Sequence, residues 1–237
     1  MHLLLFILPL NQYSSLDNTL TMSVTPDAVY FYANLAIHSL LNSIDPSYSK
    51  VSLPESEIAT ACDYVITPFE APLFVTWNII NKETKSKKLR GCIGNFSKLP
   101  LPKSVKEYAL ISAFEDERFN PIILDEILKI ENSPNLDLQC AVTILHSFED
   151  ITNNPLNWNI GEHGLHVIFK YGNRRCSATF LPEVAKEQGW SKKETLDALV
   201  DKSGAYGDWD TIKPIKVERY LGEKAQSTLS EFKIVVL

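Results

Sequence analysis

Between residues 26 and 42 the apolar positions recur at helical intervals, with Ala28, Phe31, Tyr32, Leu35 and Leu40 on or near one face. Thr25-Pro26-Asp27 stands just ahead of them: a hydroxyl for the N-cap, a proline at the first helical position and an acid in the first turn. A helix to about Asn42 is predicted. The period then changes. Residues 73–80, Leu-Phe-Val-Thr-Trp-Asn-Ile-Ile, are β-formers and predict a strand. A turn carrying Lys82, Lys85, Lys87 and Lys88 leads into a second strand from Leu89 to Phe96, giving a hairpin with a charged tip. Pro102 opens a helix to about Phe114, and Asp137–His146 is a strand with partial alternation. Trp158–Phe169 predicts two short strands around Gly161-Glu162-His163-Gly164, and Arg174–Phe180 one more. Pro182 starts a helix that Gly189 ends. Ser191 with Glu194 forms a capping box for the next, which stops before Gly204. Ile212–Leu221 closes with an alternating strand. Hairpins and helices mingle without βαβ alternation, so the predicted fold is α+β, with mainly antiparallel sheet and packed helices. No repeat or Gly/Pro/Ser-rich linker marks a domain boundary.

Composition adds limits to this picture. The chain has 237 residues, 45% hydrophobic and 22% charged, which excludes disorder, collagen-like repeats and a coiled coil. A net charge of −6 and a pI near 5.4 make nucleic acid and anionic membrane surfaces poor partners. The lysine-rich hairpin does not reverse this, because no aromatic platform interleaves its lysines. Residues 3–10 form an apolar run of eight, too short to span a bilayer, which needs about 20 residues. That run lacks the basic region and cleavage site of a signal peptide, and Met22-Ser23 stands as a possible start. Residues 1–24 are expected to be an extension outside the core. Cys62, Cys92, Cys140 and Cys176 are widely spaced, with no CxxC pair, so four free thiols in a reducing compartment are expected.

Candidate chemistry concentrates in Leu89-Arg90-Gly91-Cys92-Ile93-Gly94. In an unbroken strand Arg90 and Cys92 share one face while Leu89 and Ile93 share the other. A guanidinium beside a thiol favours the nucleophilic thiolate. Gly91 and Gly94 weaken a strand, and close approach of a ligand or another backbone is a common reason for them. Arg90 would then hold an anion while Cys92 attacks or is modified. The plain alternative has Cys92 packed as a small hydrophobe, Arg90 paired with a carboxylate and the glycines permitting tight packing. Asp116 and Arg118, after the Pro102 helix, are an ion pair or a means of orienting Arg90 or a ligand. His163 and His166 are three apart, a spacing that would turn the rings to opposite sides of a strand, so no metal pair is expected. His163, at a turn, is a candidate acid or base. No phosphate loop, dinucleotide fingerprint, zinc-protease helix or GxSxG elbow appears, and no cofactor or metal is expected.

These segments carry a resemblance. Leu89–Gly94 looks like the hallmark hexapeptide of the AMMECR domain family. Other segments resemble that family in order along the chain: Pro72–Trp77, Asp116–Phe119, Trp158 with Gly161–Gly164, Leu181–Trp190 and Arg219-Tyr220. The likeness runs from about residue 25 to 230, with a domain expected over 25–233. Residues 1–21 have no counterpart, and Lys202–Tyr206 is looser than the Lys-Gly-Gly-Tyr common in animal members. The resemblance implies a two-lobed α+β fold with the hexapeptide near a cleft between the lobes. It also implies residence in cytoplasm and nucleus. Prokaryotic relatives are associated with Memo-like and radical-SAM proteins, which points to a modification pathway without defining a reaction. Two functions follow as expectations. One is an enzyme or modification-pathway protein using Cys92 and His163, with Arg90, Gly91, Gly94, Asp116 and Arg118 holding the substrate. The other is a binding or adaptor module taking a small anion or a protein partner at the same residues.

Overall fold

The computed structural model describes residues 26–45 and 69–236. The apolar run at 3–10, Met22, the Thr25 cap and Cys62 lie outside them. In chain order the elements are α1 (Pro26–Ile44), β1 (Phe69–Asn81), β2 (Lys87–Leu101), α2 (Lys103–Phe114), α3 (Leu124–Glu131) and β3 (Leu136–Asp150). There follow β4 (Gly164–Tyr171), β5 (Arg174–Phe180), α4 (Pro182–Gln188), α5 (Lys192–Lys202), a 3₁₀ turn at Trp209–Thr211, β6 (Ile215–Thr228) and α6 (Leu229–Val236). The strands hydrogen-bond in the order β2-β1-β3-β6-β4-β5, and the fold is α+β as the sequence pattern predicts. Two compact units divide the chain: the described residues up to Ile144 with those from Glu223, and Leu145–Gly222. Among the described residues no helix is long and apolar enough to cross a membrane.

The first unit is built on β1. Leu73, Val75 and Trp77 alternate onto one face and are fully buried, while Phe74, Thr76 and Asn78 stand on the other. The buried face joins a core of Tyr32 and Leu40 from α1, Val105 and Ala109 from α2, and Ile127 and Ile130 from α3. Trp77 Nε1 donates to the Ala109 carbonyl at 3.1 Å, tying β1 to α2. The lysine-rich tip is fastened where Lys82 Nζ lies 3.1 Å from the buried Asp137 carboxylate and where Lys87 Nζ donates to Gln226 Oε1 at 3.2 Å. Asp137 also accepts from the Ser230 hydroxyl and, at 3.3 Å, from the Ser230 N–H in the first turn of α6. An anion at a helix N-terminus answers both the unpaired N–H groups and the dipole.

The second unit buries Leu165, Val167 and Phe169 of β4 and Val217 of β6 against Ala185 of α4 and Leu196, Leu199 and Val200 of α5. Its helix ends follow the sequence closely. Gly189 caps α4 at φ +69°, and Ser191 with Glu194 completes the capping box of α5. The opposite face of the sheet carries His166, Glu218 and Tyr220. Tyr220 is fully buried, its ring stacked on Phe148 at 5.1 Å, and a side chain at Gly164 would collide with that ring.

Three expectations are corrected. Trp158–Phe169 is one strand, not two. Residues 158–163 are turns, fixed by Glu162 and His163 N–H groups donating to the Asn159 carbonyl at 3.2 and 3.0 Å, with Gly161 at φ +83°. The structure adds two helices, α3 and α6, to those the pattern predicts. In α3 the residue at the N-cap is Ile123, which offers no capping side chain, whereas α6 opens on a local capping box: the Glu231 N–H donates to Thr228 Oγ1 at 3.2 Å and the Thr228 N–H to Glu231 Oε2 at 2.8 Å, with Asp137 adding an acceptor for Ser230. The third correction concerns alternation along β2. Trp77 pairs with Gly91 but Asn78 pairs with Leu89, so a bulge leaves Arg90 without a partner on β1. The simple rule that Arg90 and Cys92 share a face does not carry across it.

Candidate functional site

β2 is an outermost strand, and its hexapeptide is held from three sides. Thr76 of β1 lies directly opposite Cys92. The Cys92 N–H donates outward to Asp116 Oδ2 at 2.8 Å, and the Cys92 carbonyl accepts from Arg118 Nη2 at 3.1 Å. With its backbone groups turned away from β1, Cys92 forms a non-hydrogen-bonded pair with Thr76, the kind whose side chains stand closer. The Thr76 hydroxyl accordingly donates to Cys92 Sγ at 3.2 Å.

Asp116 and Arg118 form their own pair. Arg118 Nε and Nη2 donate to the two carboxylate oxygens at 2.8 and 2.7 Å. The Arg118 guanidinium holds the Asp116 carboxyl well below the usual carboxylate range, against burial and with help from the Cys92 N–H. The pair thereby does what a neighbouring strand would do for Cys92, offering an acceptor and a donor at the spacing of one residue. Asp116 is nearly buried, whereas the Arg118 side chain is 57% exposed and interacts electrostatically with Cys92.

Arg90 serves elsewhere. Its Nε and Nη2 donate to Glu126 of α3 at 2.7 and 2.8 Å, a bidentate and part-buried pair. The guanidinium hydrogen-bonded to Cys92 is Arg118's. The glycines have local packing reasons. A side chain at Gly91 would run into the Ser112 carbonyl of α2, and one at Gly94 into the Phe74 ring. Both are close approaches of protein to protein.

The structure thus gathers Arg90, Gly91, Cys92, Gly94, Asp116 and Arg118 in the first unit. His163 belongs to the second, where its Nδ1 accepts the Asn159 N–H at 3.2 Å and closes the turn before β4. Thr76 and Glu126 are the contributors that sequence reasoning missed. Thr76 carries a signal, its place in a β-former run opposite the hexapeptide; Glu126 carries none. Of the other described thiols, Cys176 is buried, and burial pushes the Cys140 thiol well up. Among the described residues no cluster of His, Cys, Asp and Glu could hold a metal ion. A pocket of ≈590 Å³ in the second unit, lined by Thr152, Pro155, Trp209 and Lys213 among others, contains none of the predicted site residues.

An antiparallel sheet flanked by helices, with a glycine-bearing outer strand fixed by an Asp-Arg pair, defines an α+β protein. The comparisons with known proteins identify it further. The AMMECR1 family model matches residues 32–225, and the chain belongs to that family. It is 35% identical over 225 residues to an uncharacterised protein of Saccharomyces cerevisiae, covering 85% of this chain and 86% of that one. An uncharacterised Arabidopsis thaliana protein is 42% identical over 139 residues, covering 57% and 60%. The crystal structure of an uncharacterised protein from Pyrococcus horikoshii superposes with a TM-score of 0.60 at 26% identity, covering 84% of this chain and 91% of that one. These relatives support the fold and name no reaction.

Proposed function

We propose that the protein works in a modification pathway through the hexapeptide face, with Cys92 as its reactive or modifiable thiol and Arg118 as the cation that favours an anionic group beside it. The observation that carries this is the setting of Cys92. Its backbone is gripped by Asp116 and Arg118 while Sγ accepts the Thr76 hydroxyl, and the residue is only partly buried. The Thr76 hydroxyl orients Sγ, and the exposed Arg118 guanidinium on the Cys92 carbonyl is placed to receive an anionic group brought to it. Arg90, bound to Glu126, acts by holding β2 against α3 rather than by clamping substrate. Residence in the reducing cytoplasm and nucleus goes with this role, since a working thiol must stay reduced.

The test is the rate of alkylation by iodoacetamide in the folded protein, read site by site by mass spectrometry, with Cys140 and Cys176 as buried controls. Cys92 should label well ahead of both and should slow several-fold in Thr76→Val and in Arg118→Ala. Labelling of Cys92 only on unfolding would rule the thiol out. A binding module at the same residues is the second reading, favoured by the exposure of Arg118. It predicts that Cys92→Ser leaves function intact while Arg118→Ala removes it.

A further inference from the structure

On the face of the second unit's sheet that also carries Tyr220, three neighbouring strands place a carboxylate, an imidazole and a hydroxyl in a hydrogen-bonded row. His166 Nδ1 lies 3.1 Å from Glu218 Oε2, and His166 Nε2 lies 2.8 Å from Ser177 Oγ. His166 of β4 is directly opposite Glu218 of β6, and Ser177 of β5 is opposite Ile168, one same-face position along from His166. The other carboxylate oxygen of Glu218 is held by Lys216 Nζ at 2.6 Å. We propose that Glu218, His166 and Ser177 form a base-activated serine site that takes acyl esters, separate from the Cys92 face.

The proton positions follow from the partners. An ionised carboxylate only accepts, so Nδ1 carries the hydrogen and donates to Glu218. In the neutral ring Nε2 is then an acceptor, and the Ser177 hydroxyl donates to it. This is the tautomer a general base needs, oriented by a third group behind it. Hydrogen bonds from Lys216 and His166 outweigh the burial of Glu218 and keep its carboxyl below the ordinary value, which preserves the orienting charge. Ser177 is exposed, so an ester can reach it, and Arg175 is an exposed cation two residues back on the same strand.

In the reaction Ser177 Oγ bonds to the carbonyl carbon as its proton passes to His166 Nε2. Collapse of the tetrahedral adduct breaks the ester C–O bond, and His166 returns the proton to the departing alcohol. Water attacks the acyl-serine by the same route, its proton going to His166 and then to Ser177 Oγ as the carboxylic acid leaves.

The full chain is treated with a fluorophosphonate probe and the adduct is mapped by peptide mass spectrometry. The expected adduct is on Ser177, absent in Ser177→Ala and slowed by about 100-fold in His166→Ala, the usual worth of a general base. Glu218→Gln should slow it less, and Cys92→Ser should leave it unchanged. Far-ultraviolet circular dichroism of each variant confirms the fold, and His166→Gln stands in if His166→Ala fails to fold. No adduct on Ser177, or equal labelling with and without His166, would overturn the proposal.

Discussion

Arg90 of β2 and His166 of β4 are both part-buried, both hydrogen-bonded to a glutamate, and end differently. The Arg90–Glu126 pair stops where it forms, joining an outer strand to α3. The His166–Glu218 pair continues through the second ring nitrogen to an exposed hydroxyl. Much the same contrast separates the neighbouring residues. Around the hexapeptide, two glycines let protein press on protein, and the N–H and carbonyl of Cys92 are both held by the Asp116–Arg118 pair. On the β4–β6 face the strands are already paired, so side chains are free to link to one another. A residue type associated with chemistry is therefore informative only once its partners are known: guanidinium, glycine and carboxylate near Cys92 largely build the strand that carries the thiol.

The sharpest way to break this comparison is at Gly91. Gly91→Ala would push a methyl group into the Ser112 carbonyl, and separating α2 from β2 should cost about 3 kcal/mol in urea unfolding. A near-neutral result would mean that the hexapeptide glycine is not there for packing. Asp116→Asn comes next, at about 2 kcal/mol, because the Cys92 N–H and Arg118 lose a charged acceptor. The same carboxylate supplies a pH signature. Its folded-state value is depressed, so its contribution is present above the unfolded value of about 3.9 and is lost as pH falls below it toward the folded value. Acid titration of wild type against Asp116→Asn should show the two stabilities converging in that window. Tyr220→Phe removes a hydroxyl that donates to the Phe180 carbonyl at 2.9 Å and shares a hydrogen bond with Thr179, and should cost about 1 kcal/mol. Ser177→Ala is the smallest, within about 0.5 kcal/mol, since an exposed hydroxyl leaves nothing buried unpaired. A large loss of stability there would make the serine a fold element and erase the contrast.

Legibility in the sequence followed the range of the interactions. Pro182, Gly189, Ser191 and Glu194 act within one turn, and the ends of α4 and α5 fall where local chemistry puts them. Residues Arg174–Phe180 also match the predicted strand end to end. What escaped depends on partners far along the chain. The bulge at Arg90 is a property of two strands in register, and Arg90's glutamate lies 36 residues away; the start of α6 is the exception, since its capping box of Thr228 and Glu231 is a local signal that the pattern reading passed over. The hexapeptide stood out because Arg, Cys and paired glycines are unusual in a strand. The His166 row could not stand out, since its three members are spread over 52 residues and meet only through sheet order.

The Asp116–Arg118 grip on Cys92 has a counterpart at the other end of the strand order, where Lys202 Nζ donates to the Thr179 carbonyl of β5 at 2.9 Å. Each outermost strand thus has a carbonyl answered by a cation on a side chain of its own unit. A strand from a second molecule docking at either position would have to displace an ammonium or a guanidinium before its first hydrogen bond could form. A carbonyl already taken by a charge is a poor place for edge-to-edge pairing to begin.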